Sequence, residues 1–111
     1  TALTIAAGAG VLASRVMESE AGPALGAPKV LLIAPAEVAD AQCPFGRKFD
    51  GTHEISKGFA QAYQEVAQIL EIPFLDAAEH VSVPVTDCIH FDVAGHTALG
   101  IAVAHSVKNL V

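Results

Sequence analysis

Apolar residues in the first part of the chain recur with the period of an α-helix. Within residues 1–20 they fall on one stripe, which predicts a helix that buries that stripe against the rest of the protein. The stripe consists of Ile5, Ala9, Leu12, Ala13 and Val16. Because the periodic stretch begins at Thr1 with no entry loop or leader, we expect the chain to start at a cut end.

Two short apolar runs predict strands. Residues 29–34, KVLLIA, follow a Gly/Pro/Ala loop and end at Pro35, and their continuous apolarity is typical of a strand buried on both faces in a parallel sheet. Residues 73–75 form a second such run, which ends at Asp76. The sequence therefore predicts a parallel sheet of at least these two strands.

Two further helical patterns complete the chain. Residues 53–70 are predicted to bury one face, and residues 92–110 a second, with Asp92 as the N-cap. The first face consists of Ile55, Phe59, Ala62, Val66 and Ile69, and the second of Leu99, Val103, Val107 and Leu110. The α-β-α-β-α order predicts an α/β fold with right-handed parallel crossovers and helices on both faces. Two strands make a marginal sheet, so we expect half of a doubly wound domain.

Composition narrows the class of protein. The 111 residues fit one segment, 1–111, of one domain, and 52% hydrophobic against 16% charged residues can form a packed core. A formal charge of -6 has the wrong sign for binding nucleic acid or anionic lipid. The longest apolar run, residues 30–34, is far too short to span a bilayer. We expect no nucleic-acid partner and no membrane segment. The compartment stays open, because the chain carries no signal segment.

Candidate chemistry lies on the loops that follow the strands, where open α/β sheets bind ligands. An Asp precedes a His by three residues twice, at Asp50 and His53 (DGTH) and at Asp87 and His90 (DCIH). In a turn, such a carboxylate can accept the Nδ1–H and leave Nε2 as a base. The spacing alone also fits a simple turn or helix cap.

The surroundings of the second pair resemble a known family. DCIH is followed by FDVAGH at the start of the last helix, and this resembles the last motif of the SGNH, or GDSL-type, hydrolases, a DGxH followed by a short cap and GH. PKVLLIAP is similar to the penultimate strand of that family, and FAQAYQEVAQILEIPFLDA is similar to its last helix-strand unit. The similarity covers nearly all of the chain and is greatest toward arylesterase-like and acyltransferase-like members.

The resemblance implies a fold and a role for the chain. The fold is the C-terminal part of a flavodoxin-like three-layer α/β/α sandwich with parallel strands. His90 would be the general base and Asp87 the residue that orients it, in a serine ester hydrolase, and acyl transfer to alcohols is open as a further activity. The nucleophilic serine, oxyanion Gly and Asn would lie in an N-terminal half before Thr1, which would be this chain's partner. The chain alone would be inactive on its small-molecule ester substrate, and no cofactor or metal is implied.

Residues near that motif add further expectations. Ile89, Phe45 and Phe49 are apolar residues on the same loops, where a substrate pocket would need them. Cys88 stands at the family's usual Gly, which raises the question of whether the turn keeps the backbone conformation of glycine. A bridge between Cys88 and Cys43 is geometrically open, but we expect two free thiols.

Three alternatives remain open from the sequence. The residues Asp87, Cys88, His90, Asp92 and His96 are all potential zinc ligands, which would suit a metal-dependent hydrolase. The chain would otherwise be a noncatalytic α/β binding module. A homo-oligomer is also open. We expect His96 to be a packing or capping residue, and His53, His80 and His105 to be surface groups.

Overall fold

The computed structural model describes residues 1–40 and 51–111. The described part contains four α-helices and two strands, which follow the predicted α/β order with one helix split in two. In chain order they are α1 (Ala2–Met17), β1 (Leu32–Ala34), α2 (Thr52–Ser56), α3 (Phe59–Leu70), β2 (Phe74–Asp76) and α4 (Val93–Lys108). Short 3-10 turns occupy Pro23–Leu25 and Ala77–Glu79. No helix of the described part combines the length and apolarity needed to cross a membrane.

The two strands pair in parallel, as predicted. Leu32 lies opposite Phe74, Ile33 opposite Leu75 and Ala34 opposite Asp76. β1 is shorter than the predicted run, since it begins only at Leu32. β2 is shifted by one residue, since it begins at Phe74 and includes Asp76. Parallel pairing places the carboxyl ends of β1 and β2 at one edge of the sheet. The loops that follow the two strands therefore leave from the same edge.

One face of this sheet packs against α3, which in turn packs against α1. Leu32 and Ala34 point to this face because side chains alternate along a strand. The buried cluster comprises Ala6, Leu32, Ala34, Phe59, Ala62, Tyr63, Val66 and Ala67. Within it the rings of Phe59 and Tyr63 meet edge to face, with centroids 6.1 Å apart.

The opposite face of the sheet packs against α4 and the segment before it. Ile33, between the two inward residues of β1, joins a second cluster on this side. Its other members are Ala36, Ala77, Val81, Val83, Phe91 and Leu99. Thus α3 packs on one face of the parallel sheet, and α4 contributes Leu99 on the other. The fold class is that of the C-terminal part of a flavodoxin-like three-layer α/β/α sandwich.

The predicted buried stripe of α1 is largely wrong. The helix buries Ala6, Gly10 and Ala13, while the larger apolar residues of the predicted stripe are exposed. These exposed residues are Ile5, Leu12 and Val16. The reason is close contact: a Cβ on Gly10 would lie 2.8 Å from Cγ1 of Val66 in α3. The small residues of α1 determine which of its faces packs against α3. The hydrophobic period does not reveal this face, because it is defined by the large apolar residues.

The single helix predicted over 53–70 is two helices. α2 ends at Ser56 and α3 begins at Phe59, with Gly58 preceding the first turn of α3. Phe59, Ala62 and Val66 are buried as predicted, but Ile55 and Ile69 are exposed. Within α2, the side chains of His53 and Ser56 contact the loop after β1, where both bind Val38.

The last helix begins as predicted and packs less tightly than predicted. Asp92 is its N-cap, and Oδ1 of Asp92 accepts the backbone N–H of Gly95 at 2.7 Å. Of the predicted stripe, Leu99 joins the second cluster, whereas Val107 is exposed. Lys29 donates a hydrogen bond to the carbonyl of Leu110, which ties the end of α4 to the segment before β1.

The contact between α1 and α3 yields a stability prediction. Gly8→Ala has open space for its Cβ, so it should stabilise the protein by up to about 1 kcal/mol through helix propensity. Gly10→Ala gains the same propensity but forces Val66 to shift, so it should be about 1–2 kcal/mol less stable than Gly8→Ala. Urea unfolding measures both. Equal gains at the two positions would show that α1 does not approach α3 this closely.

Candidate active site

Asp87 is the centre of a compact turn. Its Oδ1 accepts the backbone N–H groups of Ile89 and His90, both at 2.9 Å. Its Oδ2 lies 2.6 Å from Nδ1 of His90 and accepts the Nδ1–H. This is the geometry that the Asp-x-x-His spacing predicts, in which the carboxylate turns back to the ring three residues ahead. One carboxylate therefore holds both the backbone and the ring of the histidine.

These hydrogen bonds set the charge of the pair. The backbone N–H groups of His90 and Ile89, followed by the His90 ring, lower the pKa of Asp87 to about 2. Asp87 is thus ionised at neutral pH. Because a carboxylate only accepts, the proton of the neutral His90 ring lies on Nδ1 and Nε2 carries the lone pair. The His90 side chain is 76% exposed against 27% for Asp87, so Nε2 belongs to a ring open to solvent.

Cys88 keeps the backbone conformation that glycine favours. Its φ is 69°, in the left-handed region that costs an ordinary L-residue about 1–2 kcal/mol. The residue is 4% exposed and disulfide-bonded, so the expectation of a free thiol is wrong for Cys88. The other cysteine, Cys43, lies outside the described residues. The sequence could not predict this bond, because disulfide formation depends on distances that spacing along the chain does not give.

The loop after β1 reaches the same turn. The N–H of Ala39 donates to the carbonyl of Cys88 at 3.1 Å. The residue before it, Val38, is held by α2: Nδ1 of His53 lies 2.6 Å from the Val38 carbonyl, and Oγ of Ser56 accepts the Val38 N–H at 3.0 Å. The role of Ser56 has no signal in the sequence, because its partner Val38 lies 18 positions away and belongs to another element.

His53 is not the surface group that we expected. Its side chain is 23% exposed, and Nε2 lies 3.8 Å from Oδ2 of Asp40. Asp50, its partner in the first Asp-x-x-His spacing, lies outside the described residues. His80 and His105 are exposed as expected. The two Asp-x-x-His spacings thus have different surroundings, and the histidine at position 53 points to a backbone carbonyl.

The remaining potential metal ligands near the turn do not converge. Asp92 caps α4, and the His96 ring packs edge to face on Phe91 with centroids 5.6 Å apart, the packing role expected for it. Asp87 and His90 bind each other. Within residues 1–40 and 51–111, no three His, Cys, Asp or Glu side chains are placed to hold a metal ion. The donor geometry does not support the metal-dependent alternative.

The expected substrate residues are only partly described. Ile89 is half-buried beside the pair, while Phe45 and Phe49 lie outside the described residues.

Ser56 is 1% exposed, and its hydroxyl donates to the His53 carbonyl at 2.7 Å. Its oxygen is therefore occupied and has no access to a substrate.

Solved structures of similar shape include esterases. The native aryl esterase of M. smegmatis matches with a TM-score of 0.90 and 34% identity, over 100% of this chain and 53% of that chain. Its inhibitor-bound form matches with a TM-score of 0.91, 34% identity and the same coverage. A carbohydrate acetylesterase from Sinorhizobium meliloti matches with a TM-score of 0.91 and 32% identity, over 100% of this chain and 53% of that chain.

No protein-family model matches the sequence, and no curated protein matches it. The chain spans about half the length of the solved structures that it matches. The matches are to the C-terminal half of those chains, where the family's Asp-x-x-His motif is expected. Over its full length the chain is similar in fold and sequence to esterases of the SGNH, or GDSL-type, hydrolase family, the family that the sequence resemblance predicts.

Proposed function

We propose that this chain supplies the base and the orienting carboxylate of a Ser-His-Asp triad in a serine ester hydrolase. The observation that carries the proposal is the hydrogen bond of 2.6 Å between Nδ1 of His90 and Oδ2 of Asp87. It fixes the tautomer that leaves Nε2 unprotonated and holds the ring in one orientation. The exposure of the ring leaves Nε2 accessible to a nucleophile from another segment.

The proposed chemistry divides ester cleavage into two steps. Nε2 of His90 takes the proton of a serine hydroxyl as the serine oxygen bonds to the ester carbonyl carbon. The tetrahedral intermediate collapses, the imidazolium returns its proton to the departing alkoxide, and an acyl-serine remains. Water then attacks the acyl group with His90 again as the base, which releases the acid and the serine. An alcohol in place of water gives acyl transfer. Asp87 stays ionised throughout and stabilises the imidazolium.

The serine of this mechanism is proposed to come from an N-terminal half of the same domain. The chain has five serines, and Ser56 is excluded by its burial and its two hydrogen bonds. The 53% coverage of the matched structures supports residues 1–111 as the C-terminal half. The exposed apolar residues of α1, among them Leu12, also call for a covering segment. On this proposal the chain alone has no activity.

The substrate class is proposed from the relatives and the turn. The matched proteins are described as an aryl esterase and a carbohydrate acetylesterase, which supports a small-molecule ester with a short acyl group. Ile89 lies between the members of the proposed pair, so its half-buried side chain is suited to bound the acyl side. Phe45 and Phe49 are proposed to contribute to the same wall.

Removing the base should nearly abolish turnover. In the complete enzyme, His90→Ala should lower kcat by about 10⁴-fold or more, and Asp87→Asn somewhat less, because triad members act as a unit. His105→Ala, at an exposed histidine of α4, is the matched control and should keep the wild-type rate. Hydrolysis of p-nitrophenyl acetate provides the measurement, with the 111-residue chain as the blank. Normal turnover by His90→Ala, or by the chain alone, would refute the assignment.

The acyl pocket gives a separate prediction. Ile89→Ala in the complete enzyme should raise kcat/KM for butanoyl relative to acetyl esters by roughly tenfold, since a methylene-sized change in an apolar pocket is worth about 1–3 kcal/mol. Ile101→Ala, at an exposed position of α4, is the control. The pH profile should stay the same. Equal effects on both esters would mean that Ile89 does not line the acyl pocket.

The lowered pKa of Asp87 predicts a pH dependence of stability. The folded state favours the carboxylate, with a pKa of about 2, and an unfolded Asp titrates near about 4. The stability from this group is therefore fully present above about pH 4 and is lost as the pH falls from there through about 2. Urea unfolding should show that wild type exceeds Asp87→Asn most above that range and that the gap closes toward its lower end. A gap independent of pH would contradict this origin.

A further inference from the structure

Ser56 is a buried polar residue that the proposed reaction does not use. Its hydroxyl accepts the N–H of Val38 and donates to the carbonyl of His53, so it joins α2 to the loop after β1. It is the polar side chain that is buried among the described residues, at 1% exposure. A satisfied buried hydroxyl of this kind fixes the backbone segments that it connects.

His53 binds the backbone carbonyl of Val38, the residue whose N–H is bound by Ser56. Its Nδ1 lies 2.6 Å from the Val38 carbonyl oxygen. Because a carbonyl only accepts, Nδ1 carries the proton and donates it. The N–H and the C=O of Val38 are thus both bound by side chains of α2. Hydrogen bonds from α2 therefore fix the orientation of the peptide group that joins Val38 to Ala39.

This peptide begins a continuous hydrogen-bond chain to the proposed triad. The carbonyl of Val38 and the N–H of Ala39 belong to one planar peptide group, and that N–H donates to the Cys88 carbonyl at 3.1 Å. The Cys88 carbonyl and the Ile89 N–H share the next peptide plane, and that N–H donates to Oδ1 of Asp87 at 2.9 Å. In the last link, Nδ1–H of His90 donates to the other oxygen of the same carboxylate, Oδ2 of Asp87.

We propose that His53, supported by Ser56, is a positioning residue that orients the Asp87 carboxylate through these two peptide groups. The three donors between His53 and Asp87, namely the His53 ring and the N–H groups of Ala39 and Ile89, all point toward Asp87, so each of these bonds polarises the next. The Cys88 carbonyl that accepts from Ala39 belongs to the left-handed residue of the turn, so this hydrogen bond acts on the part of the turn with the least favourable backbone conformation. The catalytic consequence rests on the proposed function, whereas the hydrogen-bond chain itself does not.

The test compares His53→Ala with His53→Asn in the complete protein. The side-chain amide of Asn can donate near the position of Nδ1–H, but Ala cannot donate at all. His53→Ala should lower kcat by about 10- to 100-fold with little change in KM, the size expected when catalytic groups are slightly displaced. His53→Asn should recover most of the lost kcat, although both variants lose the ring and should melt at similar temperatures. His105→Ala serves as the control and should be unchanged.

A second readout does not depend on ester turnover. Amide hydrogen exchange of Ala39 and Ile89 should be faster in His53→Ala and slower again in His53→Asn, because these two N–H groups are links of the chain. If wild-type protein hydrolyses no ester, the proposed function fails while this measurement still tests the positioning role. Unchanged exchange at Ile89 in His53→Ala would overturn the proposal. So would equal losses of kcat in His53→Ala and His53→Asn.

Ser56→Ala covers the case in which His53→Ala does not fold. This smaller side chain creates no clash, and it removes the hydrogen bonds to the Val38 N–H and the His53 carbonyl while keeping the His53 side chain. It should lower kcat and speed exchange at Ala39 in the same direction as His53→Ala. Wild-type kcat and exchange in this variant would also overturn the proposal.

Discussion

The Asp87 carboxylate is the interaction on which the geometry of this site depends. Two backbone N–H groups and one imidazole N–H converge on its two oxygens, and the charge that they stabilise lowers the pKa of the group to about 2. If Asp87 were protonated, one of its oxygens would carry a hydrogen, and the carboxyl group could no longer accept all three of these hydrogen bonds. The orientation of the His90 ring, its tautomer and the shape of the turn therefore all follow from one ionised group. The turn also requires Cys88 in a left-handed conformation, where the family usually has glycine.

The parallel sheet brings this turn into contact with a distant part of the chain. Because β1 and β2 run in the same direction, the loops after them leave from one edge, and Ala39 meets Cys88 there. The break between α2 and α3 then directs His53 and Ser56 toward the loop after β1. The first Asp-x-x-His spacing, at positions 50–53, thus contributes His53, which binds the backbone carbonyl of Val38.

The packing of α1 explains both its close approach to α3 and the apolar surface that α1 leaves exposed. Gly10 allows α1 to approach α3 through small residues, so larger apolar residues such as Leu12 and Val16 turn outward. A matched structure is about twice the length of this chain, and the chain covers 53% of it. The N-terminal half that we propose would cover this exposed apolar face.

The sequence by itself determined the parallel α/β order, the Asp92 cap and the turn between Asp87 and His90. Each of these features depends on contacts within a few residues or on the periodicity of apolar residues. Both can be recognised in the sequence without knowing the rest of the fold. Only the tertiary structure decided that α1 buries Ala6, Gly10 and Ala13, that Cys88 is disulfide-bonded, and that His53 binds Val38. These features depend on distances between segments far apart in the chain, since close approach of helices and of loops is a property of how layers pack and leaves no periodic signal in the sequence.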